Sequence, residues 1–330
     1  MKPSPASSND SRILVLGAAG FIGSHVATSM AQSGQAHVTM LRRQPHHSPG
    51  NLHATTVYGD ITAPESLRAA LPGIDVVVHS ASYIGPDPEK TREVNEIGTM
   101  NVIDECQRAG IERIIYVSTA AVYGTGPHRG LSASEPEYHP SSGSSISRAR
   151  AEQMVLSNGG EVVRPNLVFG RGDRWVIPGL LKMMAAGGEW PGDGSALLSI
   201  IGVADLGHLV GGLALTPPQR GQAFHAAYPE PIAVSRLLRA VATAFRTNEP
   251  TYSPHVVQAR MSMELAGFSS HQIDMVTMDH WYRSDRLWDL AGLTPPGLAA
   301  SLGGLSGSYP DLLPEVPPFR VARESGGGPS

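Results

Sequence analysis

A single cysteine, Cys106, excludes any internal disulfide, and its place on an amphipathic stretch reads as a buried, inert thiol. No apolar run reaches the roughly 20 residues of a membrane helix. The polar leader MKPSPASSND lacks the apolar core of an export signal, so a cytoplasmic chain is expected. Charge is scarce, at 16% Asp, Glu, Lys and Arg with a net of −4 and no long basic run. That argues against a nucleic-acid partner held through its phosphates. The 13 histidines never fall into an HExxH or similar array, so no catalytic metal is expected. No internal repeat is present. What the chain does have is an apolar fraction of 41% over 330 residues, enough for one large domain or two unequal ones.

Strands and helices alternate. Arg12–Leu16 reads as a strand, Phe21–Ser33 as a helix stopped by a left-handed Gly34, and His37–Leu41 as a second strand. Further strands are expected at Thr56–Tyr58, Asp75–His79, Arg113–Ser118 and Glu161–Val163. Helices are expected at Pro64–Leu71, at Ser141–Ser157, and at a long stretch with Val94, Ile97, Ile103 and Cys106 on one stripe. This pattern predicts an α/β fold: a doubly wound parallel Rossmann sheet with a smaller, mostly helical C-terminal substrate domain. The expected division is a flexible leader over 1–10, a dinucleotide-binding domain over 11–175 and 196–231, a substrate-binding domain over 176–195 and 232–316, and a tail over 317–330. Leu197–Ile201, Val203–Leu215 and Ala223–Ala227 are expected to return to the sheet.

Between the first strand and the first helix lies Gly17-Ala18-Ala19-Gly20-Phe21-Ile22-Gly23. Glycines there permit a tight turn and close backbone approach to a pyrophosphate, which then sits on the helix N-terminus. Gly17, Ala19, Gly20, Phe21, Ile22 and Gly23 are therefore expected at a dinucleotide. An acid closing the second strand would bind the ribose of NAD, but the chain reads Leu41-Arg42-Arg43. Guanidinium groups in that place suit a 2′-phosphate, so Arg42 and Arg43 predict NADP as the cofactor. The alternative is two solvated surface arginines.

Further along come Gly59-Asp60-Ile61, Val78-His79-Ser80-Ala81-Ser82, Asn95 with Gly98-Thr99, and Val117-Ser118-Thr119-Ala120-Ala121-Val122-Tyr123-Gly124. Arg164-Pro165-Asn166-Leu167-Val168-Phe169-Gly170, Gly192-Asp193-Gly194, Val203-Ala204-Asp205-Leu206 and Gly292-Leu293-Thr294-Pro295 follow. With the glycine turn, these resemble the extended short-chain dehydrogenase/reductases, a group that includes sugar-nucleotide epimerases and dehydratases. The resemblance implies an adenine contact at Asp60 and Ile61, and a loop beneath the cofactor at Ser80, Ala81 and Ser82. It implies further cofactor contacts at Val117, Arg148, Pro165, Asn166 and Val168.

In that group a Tyr stands 25 residues after the active-site Ser or Thr, a Lys follows it, and a Glu often comes four residues after the Lys. Counting forward from Thr119 and back from Glu152 both arrive at Ser144 and Arg148 in place of Tyr and Lys. Tyr138 precedes a Pro-Ser-Ser-Gly turn and is not expected on the same helical face. Thr119, Ser144 and Arg148 form the candidate catalytic set. An alkyl hydroxyl is too weak an acid near neutral pH, and an arginine stays protonated, a fixed charge suited to holding the nicotinamide ribose. Loss of a general acid typically costs roughly 100- to 10,000-fold. Orientation of the reactants is often worth more, about 7–11 kcal/mol. Catalysis with another proton source and a fold that only binds are both open.

A ketone beside an acidic phenol, as in an aromatic polyketide, carries its own proton. The chain resembles the ketoreductases of angucyclinone (simocyclinone-type) biosynthesis, atypical extended members that also lack the Tyr/Lys pair. That resemblance implies NADPH-dependent reduction of a ketone on a bulky aromatic small-molecule substrate. Expected substrate contacts are Tyr83, Thr119, Ala120, Trp175, Met261 and Met275. Met261, Met263, Met275 and Met278 are read as a lid on two short helices split at Ala266-Gly267-Phe268, with Ser269 capping the second. Trp175 and Trp190 flank a loop read as the opposite wall. The Tyr83 phenol is either another acid or a pocket wall, Tyr123 reads as structural, and His139 as a solvated loop residue. Two further readings stay open. One is a catalytically silent NADP-binding sensor or assembly protein. The other is a sugar-nucleotide epimerase or dehydratase with a relocated base, drawing on Lys182, Arg236, Arg239, Arg246, Arg260, Arg283 and Arg286 for a second pyrophosphate. No membrane partner is expected, and the sequence leaves the oligomeric state open.

Overall fold

The computed structural model describes residues 11–44, 53–135, 137–186 and 189–312; the expected leader and tail lie outside these residues. Seven strands form the main sheet: β1 (Arg12–Leu16), β2 (His37–Arg42), β3 (Ala54–Tyr58), β4 (Val76–His79), β5 (Arg113–Val117), β6 (Glu161–Pro165) and β7 (Ala223–Ala226). Their order is β7-β6-β5-β4-β1-β2-β3, and every pairing is parallel. Alternate residues of β1 serve two cores. Ile13 and Val15 join Val78, Ile115 and Val163 on one face, while Leu14 and Leu16 join Val77, Ile114 and Tyr116 on the other. The first core runs on through Leu238, Met263, Ile273, Leu302 and Tyr309, so the C-terminal region shares its interior with the sheet. Cys106 is fully buried, and burial pushes its thiol up to about 12, as the inert reading requires. Chain order reverses between β1 and β4, which opens a crevice at their C-terminal ends.

Two expectations are corrected. The long helix is three segments: Pro88–Thr91, a π-helical Arg92–Ile97, and Gly98–Arg108. The widened turn carries Asn95, whose carboxamide accepts from Tyr83 N at 2.7 Å and donates to Tyr83 O and to Ser147 Oγ, each at 2.9 Å. Leu197–Ile201 is two strands, Leu197–Leu198 and Ile200–Gly202, and neither enters the main sheet. Ser199 between them is held by His280 and Tyr282, with Ser199 N donating to His280 O at 2.9 Å and Tyr282 N donating to Ser199 Oγ at 3.0 Å. The substrate side is mostly helical as expected, with helices at Val176–Ala185, Val234–Phe245, Val256–Leu265 and Ser270–Thr277, but Leu197–Leu198 joins Ile232–Ala233, His280–Tyr282 and His128–Leu131 in a small four-stranded sheet beside them. Strands of two to four residues are too short to show periodicity in a sequence.

Candidate active site

At the end of β1 the chain turns at Gly17, with φ 78°. A Cβ there would lie 2.6 Å from Ala81 N, and one on Gly23 would lie 2.2 Å from Gly17 O. The missing side chains let the ends of β1 and β4 close on each other. Helix Phe21–Ser33 begins at Gly20 with no side-chain cap and no acid in its first turn, so its leading N–H groups stay open to an anion. Gly17, Ala19 and Gly20 line a cleft of about 390 Å³, with Phe21, Ile22 and Gly23 forming the first helical turn behind it.

The other walls of this cleft come from three strand ends. Ser80, Ala81, Ser82 and Tyr83 follow β4, Arg42 and Arg43 close β2, and Asp60 and Ile61 follow β3. Ser80 Oγ donates to Leu16 O at 2.7 Å, and Asp60 Oδ1 accepts from Thr62 N at 2.9 Å. Arg42 is buried, and its Nε has no partner. An unpartnered N–H in a buried guanidinium is costly, and an anion in the cleft relieves it. The residues present therefore fit a dinucleotide with its pyrophosphate on the helix end. Lys90, which the sequence did not flag, lines the same cleft, with Nζ 5.0 Å from the Tyr83 ring centroid. Tyr83 thus shares a wall with the arginines, its backbone clamped by Asn95.

Thr119 follows β5 and caps the short helix Ala120–Tyr123, its Oγ1 accepting from Ala121 N at 3.2 Å. That bond leaves the hydroxyl proton available to a substrate oxygen. Ser144 is the second residue of helix Gly143–Ser157, and Arg148 lies one turn later on the same face. Arg148 Nη2 donates to Val117 O at 3.0 Å, while its Nε is buried without a partner. Beside it lie His79 and Tyr116, both fully buried with ring centroids 5.1 Å apart. Burial, then the Arg148 charge, holds His79 down to about 3, so its imidazole is neutral and meets Thr99 Oγ1 at 3.0 Å. Burial pushes the Tyr116 phenol up. Neither ring supplies a proton near neutral pH.

Glu152 and Arg164 form a fully buried ion pair behind the same helix. Tyr138 donates to Glu152 Oε1 and accepts from Arg164 Nη2. Tyr138 lies outside the Ser144 helix, as expected, and meets it through Glu152, and burial raises its phenol well above the ordinary range. Tyr123 is structural as expected: it is buried, accepts from Arg164 Nη1, and meets His225 Nε2 at 2.8 Å. His139 is exposed, in line with a loop residue.

The expected substrate contacts divide. Ala120 is 1% exposed and packs with Val122, Tyr123, Ala149 and Tyr282. Trp190 is likewise buried, and it lines a separate cavity of about 370 Å³ with Pro191, Gly192 and Asp193, away from Trp175. Trp175 is 67% exposed and, with Arg174 and Phe268, lines a groove of about 570 Å³. Met263 is core, Met275 packs against the core, and Met261 is exposed; Met261 and Met275 are not among the groove's walls. Ala266, Gly267 and Phe268 line that groove in place of the methionines, and Ser269 caps the following helix as expected, in a capping box with Gln272. Asn166 Nδ2 donates to Ser199 O and His280 O, which commits that side chain to joining strands. Pro165 and Val168 are buried beside it, and Val117 contributes the carbonyl that anchors Arg148. Among the described residues no helix is long and apolar enough to cross a membrane, and no cluster of His, Cys, Asp and Glu is arranged to hold a metal.

A model of the NAD dependent epimerase/dehydratase family matches residues 13–221. A 2-alkyl-3-oxoalkanoate reductase of Stenotrophomonas maltophilia is 29% identical over 249 residues, covering 71% of this chain and 75% of that protein. The decarboxylating sterol-4-alpha-carboxylate 3-dehydrogenase of Homo sapiens is 28% identical over 262 residues, covering 73% and 68%. The structure of dTDP-glucose 4,6-dehydratase of Bacillus anthracis in complex with NAD superposes with a TM-score of 0.71 at 18% identity, covering 91% of this chain and 97% of that one, a likeness of fold.

Proposed function

Because the chain belongs to the NAD dependent epimerase/dehydratase family, we propose that it is an NADP-dependent ketoreductase whose bulky aromatic substrate carries its own acidic hydroxyl. It is an oxidoreductase of the extended short-chain dehydrogenase/reductase type, with reductase and dehydrogenase relatives. The observation that carries the finer reading is Ser144 and Arg148, one turn apart on helix Gly143–Ser157, standing where the group's Tyr and Lys belong in a chain that keeps the cofactor cleft.

A nicotinamide dinucleotide, when bound, supplies a hydride. The Gly17–Gly23 turn and its helix end hold the pyrophosphate, and Arg42 and Arg43, with Lys90 in the same cleft, take the 2′-phosphate. Thr119 donates a hydrogen bond to the substrate carbonyl, while Arg148, anchored on Val117, contributes a fixed positive charge. Reduction forms one C–H bond at the carbonyl carbon and one O–H bond at its oxygen. That proton crosses from a neighbouring phenol along the substrate's internal hydrogen bond, and solvent then reprotonates the phenolate. A second reading, a 2-alkyl-3-oxo acid substrate, is favoured by the names of two relatives. Its keto form, the one that accepts hydride, has no such internal acid, so there the proton would come from solvent. An epimerase or dehydratase would need the absent Tyr base.

The test follows NADPH absorbance with a hydroxyaryl ketone, its O-methyl ether and a 2-alkyl-3-oxo ester. Turnover of the free phenol, slower by about a hundredfold or more for the ether, is expected. Equal rates for phenol and ether place the acid on the protein. Tight NADPH binding without any turnover makes the chain a binding protein.

A further inference from the structure

A residue from far along the chain closes the loop that leads to Trp175. Tyr309 is 5% exposed, its ring edge-on to Phe245 with centroids 5.9 Å apart. Its hydroxyl accepts from Gly170 N at 2.7 Å and donates to Asp173 Oδ2 at 2.7 Å. Asp173 uses the rest of its carboxylate on the first turn of helix Val176–Ala185. Oδ1 accepts from Trp175 N at 2.7 Å and Val176 N at 2.9 Å, and Oδ2 accepts from Ile177 N at 2.9 Å. One phenol therefore bridges Gly170 and Asp173, which also meet through Asp173 N donating to Gly170 O at 2.9 Å, and Asp173 passes the tie on to the N–H groups of Trp175–Ile177.

That segment lies on the cofactor cradle. Arg171 O is 3.0 Å from His25 Nε2, and a Cβ on Gly172 would sit 3.3 Å from the Phe21 ring. Gly170 and Gly172 hold φ of 126° and 97°, a backbone shape with many alternatives once its ties are cut. Trp175 projects from the far end, two-thirds exposed. Tyr309 itself stands beyond the residues that the family model matches.

We propose that Tyr309 is a positioning residue: its hydroxyl fixes the Gly170–Trp175 loop so that Trp175 presents its ring to the ketone substrate. This rests on the ketoreductase reading for the substrate, but the clasp itself is tested without it. In Tyr309→Phe the ring still packs on Phe245, while Gly170 N and Asp173 each lose a partner. With NADPH bound, amide exchange at Trp175–Ile177 is expected to accelerate by about tenfold or more. NADPH affinity is expected to stay within about twofold, and KM for a ketone that the wild type reduces is expected to rise about tenfold with kcat nearly unchanged. Phe245→Leu is the control: it disturbs the ring packing and keeps the hydroxyl, so it should lower the melting temperature and leave KM alone. Unchanged exchange in Tyr309→Phe overturns the clasp. Faster exchange with an unchanged KM, or an equal KM rise in Phe245→Leu, reduces Tyr309 to a structural residue. If the wild type reduces no ketone, the ketoreductase reading fails, while the exchange result still decides the clasp.

Discussion

The guanidinium of Arg148 is tied to the main chain of Val117, with Nη2 donating to the carbonyl oxygen at 3.0 Å. The position that holds a lysine in related enzymes thus fastens helix Gly143–Ser157 to the strand leading into Thr119. Arg148→Ala is expected to destabilise the protein by about 1.5–3 kcal/mol, the range for hydrogen bonds to charged groups. It should also weaken NADPH binding while leaving the shape of the pH–rate profile unchanged, because no titrating group is lost. Thermal melts and a pH–rate series check both parts. A new limb in the profile would show Arg148 governing a proton donor.

Thr119 and Ser144 should prove unequal and neither essential. Thr119 Oγ1 accepts from Ala121 N, which leaves its proton free to donate, and Thr119→Ala is expected to slow turnover by about tenfold to a few hundredfold. Ser144→Ala is expected to cost less than about tenfold, because an alkyl hydroxyl adds little as an acid. Steady-state kinetics with the hydroxyaryl ketone measure both. A loss beyond roughly a thousandfold in either would return the acid to the protein.

Cofactor choice turns on two arginines of different burial. Arg42 is buried with an unpartnered Nε, whereas Arg43 is exposed and lines the same cleft. Arg43→Ser therefore probes the phosphate without opening the core. NADPH affinity is expected to fall about tenfold and NADH affinity to stay put, with the difference shrinking as salt rises. Titrations of both coenzymes at low and high salt decide it, and equal losses for the two would place Arg43 away from the 2′-phosphate.

The sheet and the cradle were legible because their signals are local. β1 alternates between two cores, and the glycine turn carries its own conformational need. The two-residue strand Leu197–Leu198 was not, since so short a stretch has no period. The burial of Ala120 and Trp190 was not legible either, because composition does not say which way a side chain turns. The contacts that organise the site, Tyr138 to Glu152, Lys90 to Tyr83 and Tyr309 to Asp173, join residues through packing that no spacing rule encodes. The last of these spans 136 positions.

Buried histidines give the protein an acid-sensitive stability. His79 and His225 are each held at about 3, mainly by burial, with Arg148 and Arg164 adding to the effect. His128 and His280 shift the same way. In the unfolded chain these rings titrate near 6.5. Below that value the unfolded state takes up protons that the folded state refuses, so stability falls as pH drops from about 6.5 toward 3. The slope approaches about 1.4 kcal/mol per pH unit for each such ring. Above about pH 7 these groups contribute no slope. Urea midpoints should therefore be level between about pH 7 and 8 and decline steadily below about 6. His225→Gln should make the decline shallower, even where it lowers the midpoint at neutral pH by disturbing the Tyr123 bond. Midpoints that stay level down to pH ~5 would mean that these rings take up protons in the folded state and are reached by water.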